Sequence, residues 1–420
     1  MRLRRGISSI VPALLVCATM MLWKAPASVA APCGDGSLNF SGGSGTSASP
    51  FLISSEADLV SLREGYTTTP SYYSCSYQQT VDITMSAAWQ HGIGFSTPLS
   101  ALYKPFEGTY DGNGHAITNL TIDAQSVANA NQARELGFIG LSTSGSASIA
   151  NLSLVNVSIT CGYEAVYAGM LVAETSGSVS RSSASGSITC SGANAIARMG
   201  GLIGYTNGEV ANAWVSGTIT LPTTPPANFS PNSIGGVVGR SDTNAQIRHV
   251  VGRVSISNFS SAIYAGVFAG YNNSATFTSV YAQSGLTAGL TGLTGAGSSV
   301  GASSKSASEL RDIVTYVGWS ISQGVTTSTV WGIDPAINSG FPFLQQLPSE
   351  SDAGMTPILQ ALPVASDGTC ANLDDSHVAY GSGLSGGWGT SWAQWANAGT
   401  GGPVCVRTLI YAGGRWVVAH

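Results

Sequence analysis

The chain has 420 residues, of which 9% are charged and 43% apolar, with 53 glycines and a formal net charge of -5. The apolar content excludes a disordered chain, and the glycine content excludes a helical one. The absence of a Lys/Arg cluster excludes a nucleic-acid binder. Many short strands joined by tight turns fit what is left, in one elongated unit or two compact domains.

Arg2, Arg4 and Arg5 precede a largely apolar run from Ile7 to Trp23, and Ser28-Val29-Ala30 offers small residues for cleavage. Residues 1–30 are expected to be a signal peptide cut after Ala30, giving a secreted or cell-surface protein without membrane insertion of the mature chain. Removing Cys17 leaves an even set of cysteines. Local pairing joins Cys33 to Cys75, Cys161 to Cys190, and Cys370 to Cys405. None has C-x-x-C spacing, so no zinc site is expected.

Residues 31–110 read as an N-terminal cap. Ser55 and Asp58 have capping-box spacing ahead of Ala57, Leu59, Val60 and Leu62, which predicts a short helix. Tyr66, Tyr72, Tyr73, Tyr77 and Trp89 surround a strand-like Val81–Met85, material suited to covering the first coil of an array. Asp111-Gly112-Asn113-Gly114 predicts a tight turn between two strands.

Residues 111–300 carry an internal repeat. Leu136-Gly137-Phe138-Ile139-Gly140 is followed by Ala168-Gly169-Met170-Leu171-Val172 and Gly200-Gly201-Leu202-Ile203-Gly204. Gly235-Gly236-Val237-Val238-Gly239 and Ala265-Gly266-Val267-Phe268-Ala269 complete the set, and the second residues lie 32, 32, 35 and 30 apart. A period of this size marks a solenoid. Val172 stands where Gly140, Gly204 and Gly239 close their copies, which predicts a distorted coil. Between the glycine motifs, Leu152–Cys161, Val179–Cys190, Val210–Thr220 and Ile247–Ser257 each end in a Ser/Thr-Ile-Ser/Thr triplet. Period-2 alternation turns the isoleucine inward and its neighbours outward. Cys161 and Cys190 share the isoleucine parity. A bridge between adjacent coils is therefore expected, with stacked free thiols as the alternative.

Residues 285–305 are low in complexity and read as a loop. Ser306 and Glu309 form a second capping-box pattern, predicting a short helix, and 301–347 read as the cap at the far end of the solenoid. Residues 348–366 read as a linker. Residues 367–420 read as a small module holding Cys370, Cys405, Trp388, Trp392, Trp395 and Trp416.

The glycine motif resembles the GLUG repeat of bacterial secreted and surface proteins. The entry at Pro50-Phe51-Leu52-Ile53, the Phe106–His115 segment and the closing Trp331–Leu344 stretch resemble the flanks of the same family. The resemblance covers about residues 40–345. It implies an all-β, right-handed parallel β-helix of the kind found on adhesin-like or peptidase-associated surface proteins, and it supplies no catalytic residues.

No catalytic pattern stands out. Asp111, Asp123, Glu135, Glu164, Glu174, Glu209 and Asp242 are scattered, and Glu174 and Glu209 read as solvated turn residues. No H-E-x-x-H, G-x-S-x-G or phosphate-loop ending appears. Neither catalytic nor metal residues nor a cofactor are expected. Two surfaces invite a ligand. Ser158, Thr160, Ser187, Thr189, Thr218, Thr220, Ser255 and Ser257 would form an outward grid of hydroxyls, unless they are ordinary strand residues. Trp388, Trp392 and Trp395 would stack on sugars, unless they build a small core. The expectation is an exported, non-enzymatic scaffold or adhesin, with host or cell-wall polysaccharide or a surface glycoprotein as partner. The competing class is a carbohydrate-active enzyme of the pectate-lyase-like kind.

Overall fold

The structure is a computed structural model. It describes residues 33–68, 71–97, 102–124, 135–162, 166–190, 196–221, 233–259, 264–326 and 328–345, and the backbone of four later strands. The expected signal peptide, Glu164 and Cys370 lie outside the described residues, as do the side chains of Cys405, Trp388, Trp392, Trp395 and Trp416.

The protein is mostly β, and its repeats stack as parallel strands in three sheets of fourteen, six and five strands. Each repeat contributes one strand to the five-stranded sheet, turns through the glycine motif into the six-stranded sheet, and returns through a long strand of the largest one. In the repeat around Gly200 these strands are Ile196–Gly200, Ile203–Thr206 and Glu209–Thr220. Every strand pairs with its counterpart one repeat away, as in a parallel β-solenoid.

The register explains the core. One ladder stacks Ile122, Ile159, Ile188, Ile219 and Ile256, all buried, one on another. A second runs Phe51, Tyr77, Tyr110, Ile149, Val179, Val210, Ile247 and Phe277, with rings at both ends and branched aliphatics between. Such ladders exist only between coils, so a lone repeat has no core of its own. The long strands bend at one column: Asn151, Arg181, Asn212, His249 and Ser279 all have φ between 47 and 53°. Asparagine and histidine are enriched in this left-handed region, whereas arginine and serine there are uncommon.

The glycine motif forms the corner between the two smaller sheets, where their backbones nearly touch. A Cβ on Gly235 would lie 2.1 Å from the Val238 carbonyl oxygen and 2.7 Å from Ala269 Cα. Pairing aligns Gly137, Gly169, Gly200, Gly235 and Gly266, hence true spacings of 32, 31, 35 and 31. The sequence alignment of the motif slips by one residue here. Leu136 and Ile139, which flank the first corner, are three apart, whereas Ala168 and Val172, and Met199 and Ile203, are four apart. Val172 therefore pairs with Ile203, and the residue in the glycine position is Ala173. The strand after the corner is undistorted, pairing in register on both sides, and the irregularity of this coil is a register shift between Val166 and Tyr167 in the five-stranded sheet.

Just past the corner a polar residue recurs: Ser142, Thr175, Thr206, Ser241 and Asn272, all buried. Thr175 Oγ1 accepts from the Gly177 amide at 2.9 Å, and Thr206 Oγ1 accepts from the Gly208 amide at 3.0 Å, each closing the next turn.

Cys161 and Cys190 pair in register and are bridged, with their Cα atoms 4.5 Å apart. Cys33 and Cys75 form a second bridge within the N-terminal segment. There Ser55 caps the helix Glu56–Glu64, whose Leu59 and Leu62 are buried. The Asp-Gly-Asn-Gly turn is present, with Asn113 at φ 50°. It makes a corner and no hairpin, because Thr109–Asp111 and Ala116–Thr118 pair with neighbouring coils.

Three expectations change downstream. Residues 285–305 contain the strands Thr294–Gly297 and Ala302–Lys305, which add a rung to the six-stranded and the largest sheet. Ser306 and Glu309 do exchange capping-box bonds, at 2.7 and 3.2 Å. They open two 3₁₀ turns, Glu309–Arg311 and Ile313–Tyr316, because the extended Asp312 interrupts the helix. Residues 309–345 pack against the flank of the largest sheet, where Tyr316, Trp319, Trp331 and Phe341 bury Val251 and Tyr281. Trp331 Nε1 donates to Asn212 Oδ1 at 3.1 Å, and the His249 ring lies 5.1 Å from that of Trp319. Outward apolar side chains on the long strands, Trp214 among them, are what this segment covers.

Ile358–Pro363, inside the stretch read as a linker, pairs antiparallel with Trp388–Gly389 and Val404–Ala412, and the latter with Arg415–Val418.

Candidate functional site

The hydroxyl grid is in register. Ser158 pairs with Ser187, Ser187 with Thr218, and Thr218 with Ser255; Thr160, Thr189, Thr220 and Ser257 form the second column. Thr121 and Asp123 extend the two columns by one coil. Rows repeat about every 4.8 Å, and the columns stand about 6.6 Å apart along the strands. Thr160 Oγ1 donates to Asp123 Oδ1 at 2.8 Å, and Ser257 Oγ lies 3.3 Å from Thr220 Oγ1. Thr218 and Ser257 are exposed and the others half-buried. The face can exchange hydrogen bonds with a polyol and carries little charge.

A richer site lies on the two smaller sheets. Pairing stacks Glu135, Tyr167, Arg198, Ser233 and Tyr264 in one column. The six-stranded sheet stacks Glu174, Tyr205, Arg240 and Tyr271 in another. The columns meet across the glycine corner: the Arg198 guanidinium lies 4.5 Å from the ring centres of both Tyr167 and Tyr205. Arg240 stands over Tyr271 and binds Asp242 through two nitrogens, at 2.7 and 3.2 Å. Tyr205 donates to the same carboxylate at 3.0 Å. Tyr264 and Tyr271 stack at 5.6 Å.

Two carboxylates border this cluster. Glu135 is buried and accepts from the backbone amide and hydroxyl of Ser96, both at 2.7 Å. Glu174 is half-buried on a strand. Burial first, then the charge of Glu135, pushes its carboxyl up to about 7, against the pull of Arg198. It is therefore no solvated turn residue. Glu209 heads a long strand in a different sheet, paired with Arg248. Burial, with the Asp242 bond, pushes the Tyr205 phenol up to about 12.

Asp111 is a turn residue, as expected, accepting from the Asn113 amide and Asn151 Nδ2 at 2.9 Å each. His115 contacts Asp82 at 3.2 Å. Among the described residues no group of three or more His, Cys, Asp or Glu side chains could hold a metal ion. None of the described helices is long and apolar enough to cross a membrane.

The tyrosine–arginine columns are not evident from any local motif. Their signal is the residue after Ala173, Gly204, Gly239 and Gly270, just before the buried Ser, Thr or Asn: Glu174, Tyr205, Arg240 and Tyr271. Read singly they are unremarked polar residues; at the repeat period they become one surface.

No protein-family model matches the chain. Over 218 residues, 51% of its length, it is 30% identical to halomucin of Haloquadratum walsbyi. The match spans 2% of that protein. A solved structure described as an IgA1 protease covers 55% of the chain, and 16% of its own, at 18% identity and a TM-score of 0.38. Another, a candidate immunoglobulin A1 protease from Bacteroides ovatus, covers 73%, and 95% of its own, at 17% identity and a TM-score of 0.42. These enzyme names correct the expectation of a non-enzymatic chain, which no longer stands; at such scores they assign it no activity. The two disulfides are of the kind that persists in oxidising surroundings such as the extracellular space.

Proposed function

We propose that the chain is an exported, GLUG-type β-solenoid that works at the cell surface as a scaffold or adhesin-like module, holding polysaccharide against its laddered faces. Export would follow cleavage near Ala30. The coils would be right-handed, the hand of nearly all parallel crossover connections. The observation that carries the reading is the in-register hydroxyl grid, which repeats one hydrogen-bonding pattern at the spacing of the strands. A polymer can meet such a face at several rungs at once, so weak contacts sum. The test is retention of the secreted full chain on envelope polysaccharide and on a glycan array. Replacing Thr160, Thr189 and Thr220 together by tryptophan should cut retention at least tenfold, and unchanged retention would refute the reading.

One observation favours a second reading, a carbohydrate-active enzyme. Burial and the nearby charge of Glu135 raise the Glu174 carboxyl to about 7, and an acid of that strength suits proton donation to a glycosidic oxygen. New reducing or unsaturated ends on a polysaccharide incubated with the chain, lost in Glu174→Gln, would establish it; no product from any polysaccharide bound would remove it.

A further inference from the structure

We propose that Arg198, seated over the Tyr167 and Tyr205 rings, with Tyr264 in the same column, is a binding site for the carboxylates of an acidic polysaccharide. This presupposes the surface role above and places a second ligand contact on different sheets from the hydroxyl grid. The contrast between two arginines carries it. Arg240 is satisfied within the fold, bound through two nitrogens to Asp242. The Arg198 guanidinium lies over the adjacent rings of Tyr167 and Tyr205, 4.5 Å from each centre with the centres 6.3 Å apart, and it has no hydrogen-bond or ion-pair partner among the described residues. The cation–π contacts hold the fork in place without using its N–H donors, which stay available for a ligand. A carboxylate matches that edge with two parallel bonds.

Two further observations lie in the same column. Ser233, next to Arg198, is buried with a hydroxyl that has no hydrogen-bond partner among the described residues. Tyr264, beyond Ser233, is 41% exposed and stacked on Tyr271, offering aromatic surface for the C–H face of a sugar ring. Charge at one point and flat apolar surface along the column describe a ligand that alternates carboxylates with pyranose rings. Glu174 and Glu135 border the site, so a densely charged anion is disfavoured against one with spaced single charges.

The test is affinity electrophoresis of the full chain in native gels containing polygalacturonate, dextran sulfate or neutral dextran. Polygalacturonate should retard the wild type most. Arg198→Gln should weaken that binding at least tenfold, and Arg198→Lys nearly as much, because an ammonium keeps the charge and loses the fork. Tyr264→Ala should weaken it several-fold and, being a partly exposed side chain, keeps the test alive if the arginine variants do not fold. Unchanged retardation of Arg198→Gln or of Tyr264→Ala overturns the proposal. Arginine-dependent retardation by dextran sulfate alone overturns the carboxylate assignment. No retardation of the wild type, with threonine-dependent glycan retention intact, overturns this inference alone; loss of both removes the surface-binding reading as well.

Discussion

Glu174→Gln tests whether the corner between the smaller sheets is as dry as its packing requires. Glu174 lies on Val172–Thr175, between Leu141 and Tyr205 of the adjacent rungs. Its carboxyl titrates at about 7 in the folded chain, against 4.5 for an ordinary glutamate, with burial the larger cause and Glu135 the next. Between those pH values the folded state holds a proton that the unfolded state has lost. Stability therefore falls as pH rises through that window. The full gap corresponds to on the order of 3 kcal/mol; residual solvent contact trims it to about 2 kcal/mol. The neutral amide removes the penalty, so Glu174→Gln should be more stable than wild type at pH 8 by about 2 kcal/mol and close to it at pH 5. Urea denaturation at both pH values measures this. Parallel pH profiles for wild type and variant would refute the reasoning, for the penalty would then have some other source.

Gly235→Ala should destabilise by about 3 kcal/mol or more, because the new Cβ meets backbone that cannot turn aside; a thermal midpoint within a degree or two of wild type would contradict this. Removing the inter-coil bridge with Cys161→Ala and Cys190→Ala should cost about 3–4 kcal/mol by the loop-entropy argument for a separation of 29 residues, read from denaturant midpoints under oxidising conditions. Asn212→Ala should cost about 2 kcal/mol, combining a left-handed backbone with the lost Trp331 bond, whereas Asn212→Gly should cost about 1 kcal/mol, since only the bond is lost. The reverse order would show that the bend is not what asparagine supplies.

The Ile159, Ile188 and Ile219 register was legible because alternation along a strand fixes which residues point inward. The same argument placed Cys161 against Cys190. The glycine motif was legible as a repeat and misaligned by one residue, since a corner one residue shorter leaves the pattern of small residues almost unchanged. Residues 294–297 read as a loop for the reason that makes them a strand. Gly295 sits where a Cβ would lie 2.4 Å from the Ala265 amide nitrogen, so composition that resembles a linker is what close backbone packing demands. The packing of 309–345 on the flank was written in outward Trp214, Val251 and Tyr281, which interrupt an otherwise polar face. The tyrosine–arginine site was hidden because its members lie a whole repeat apart and become neighbours only on stacking.

The common bend at Asn151, Arg181, Asn212, His249 and Ser279 means that successive coils are interchangeable in outline. A duplicated repeat could slide in between two others without disturbing either, since the rungs above and below already present the contacts it needs. Length is then a free variable for such a surface, and each added rung lengthens both the hydroxyl grid and the aromatic columns by one step. The number of contacts such a surface offers is then set by copy number, with no change in any single one.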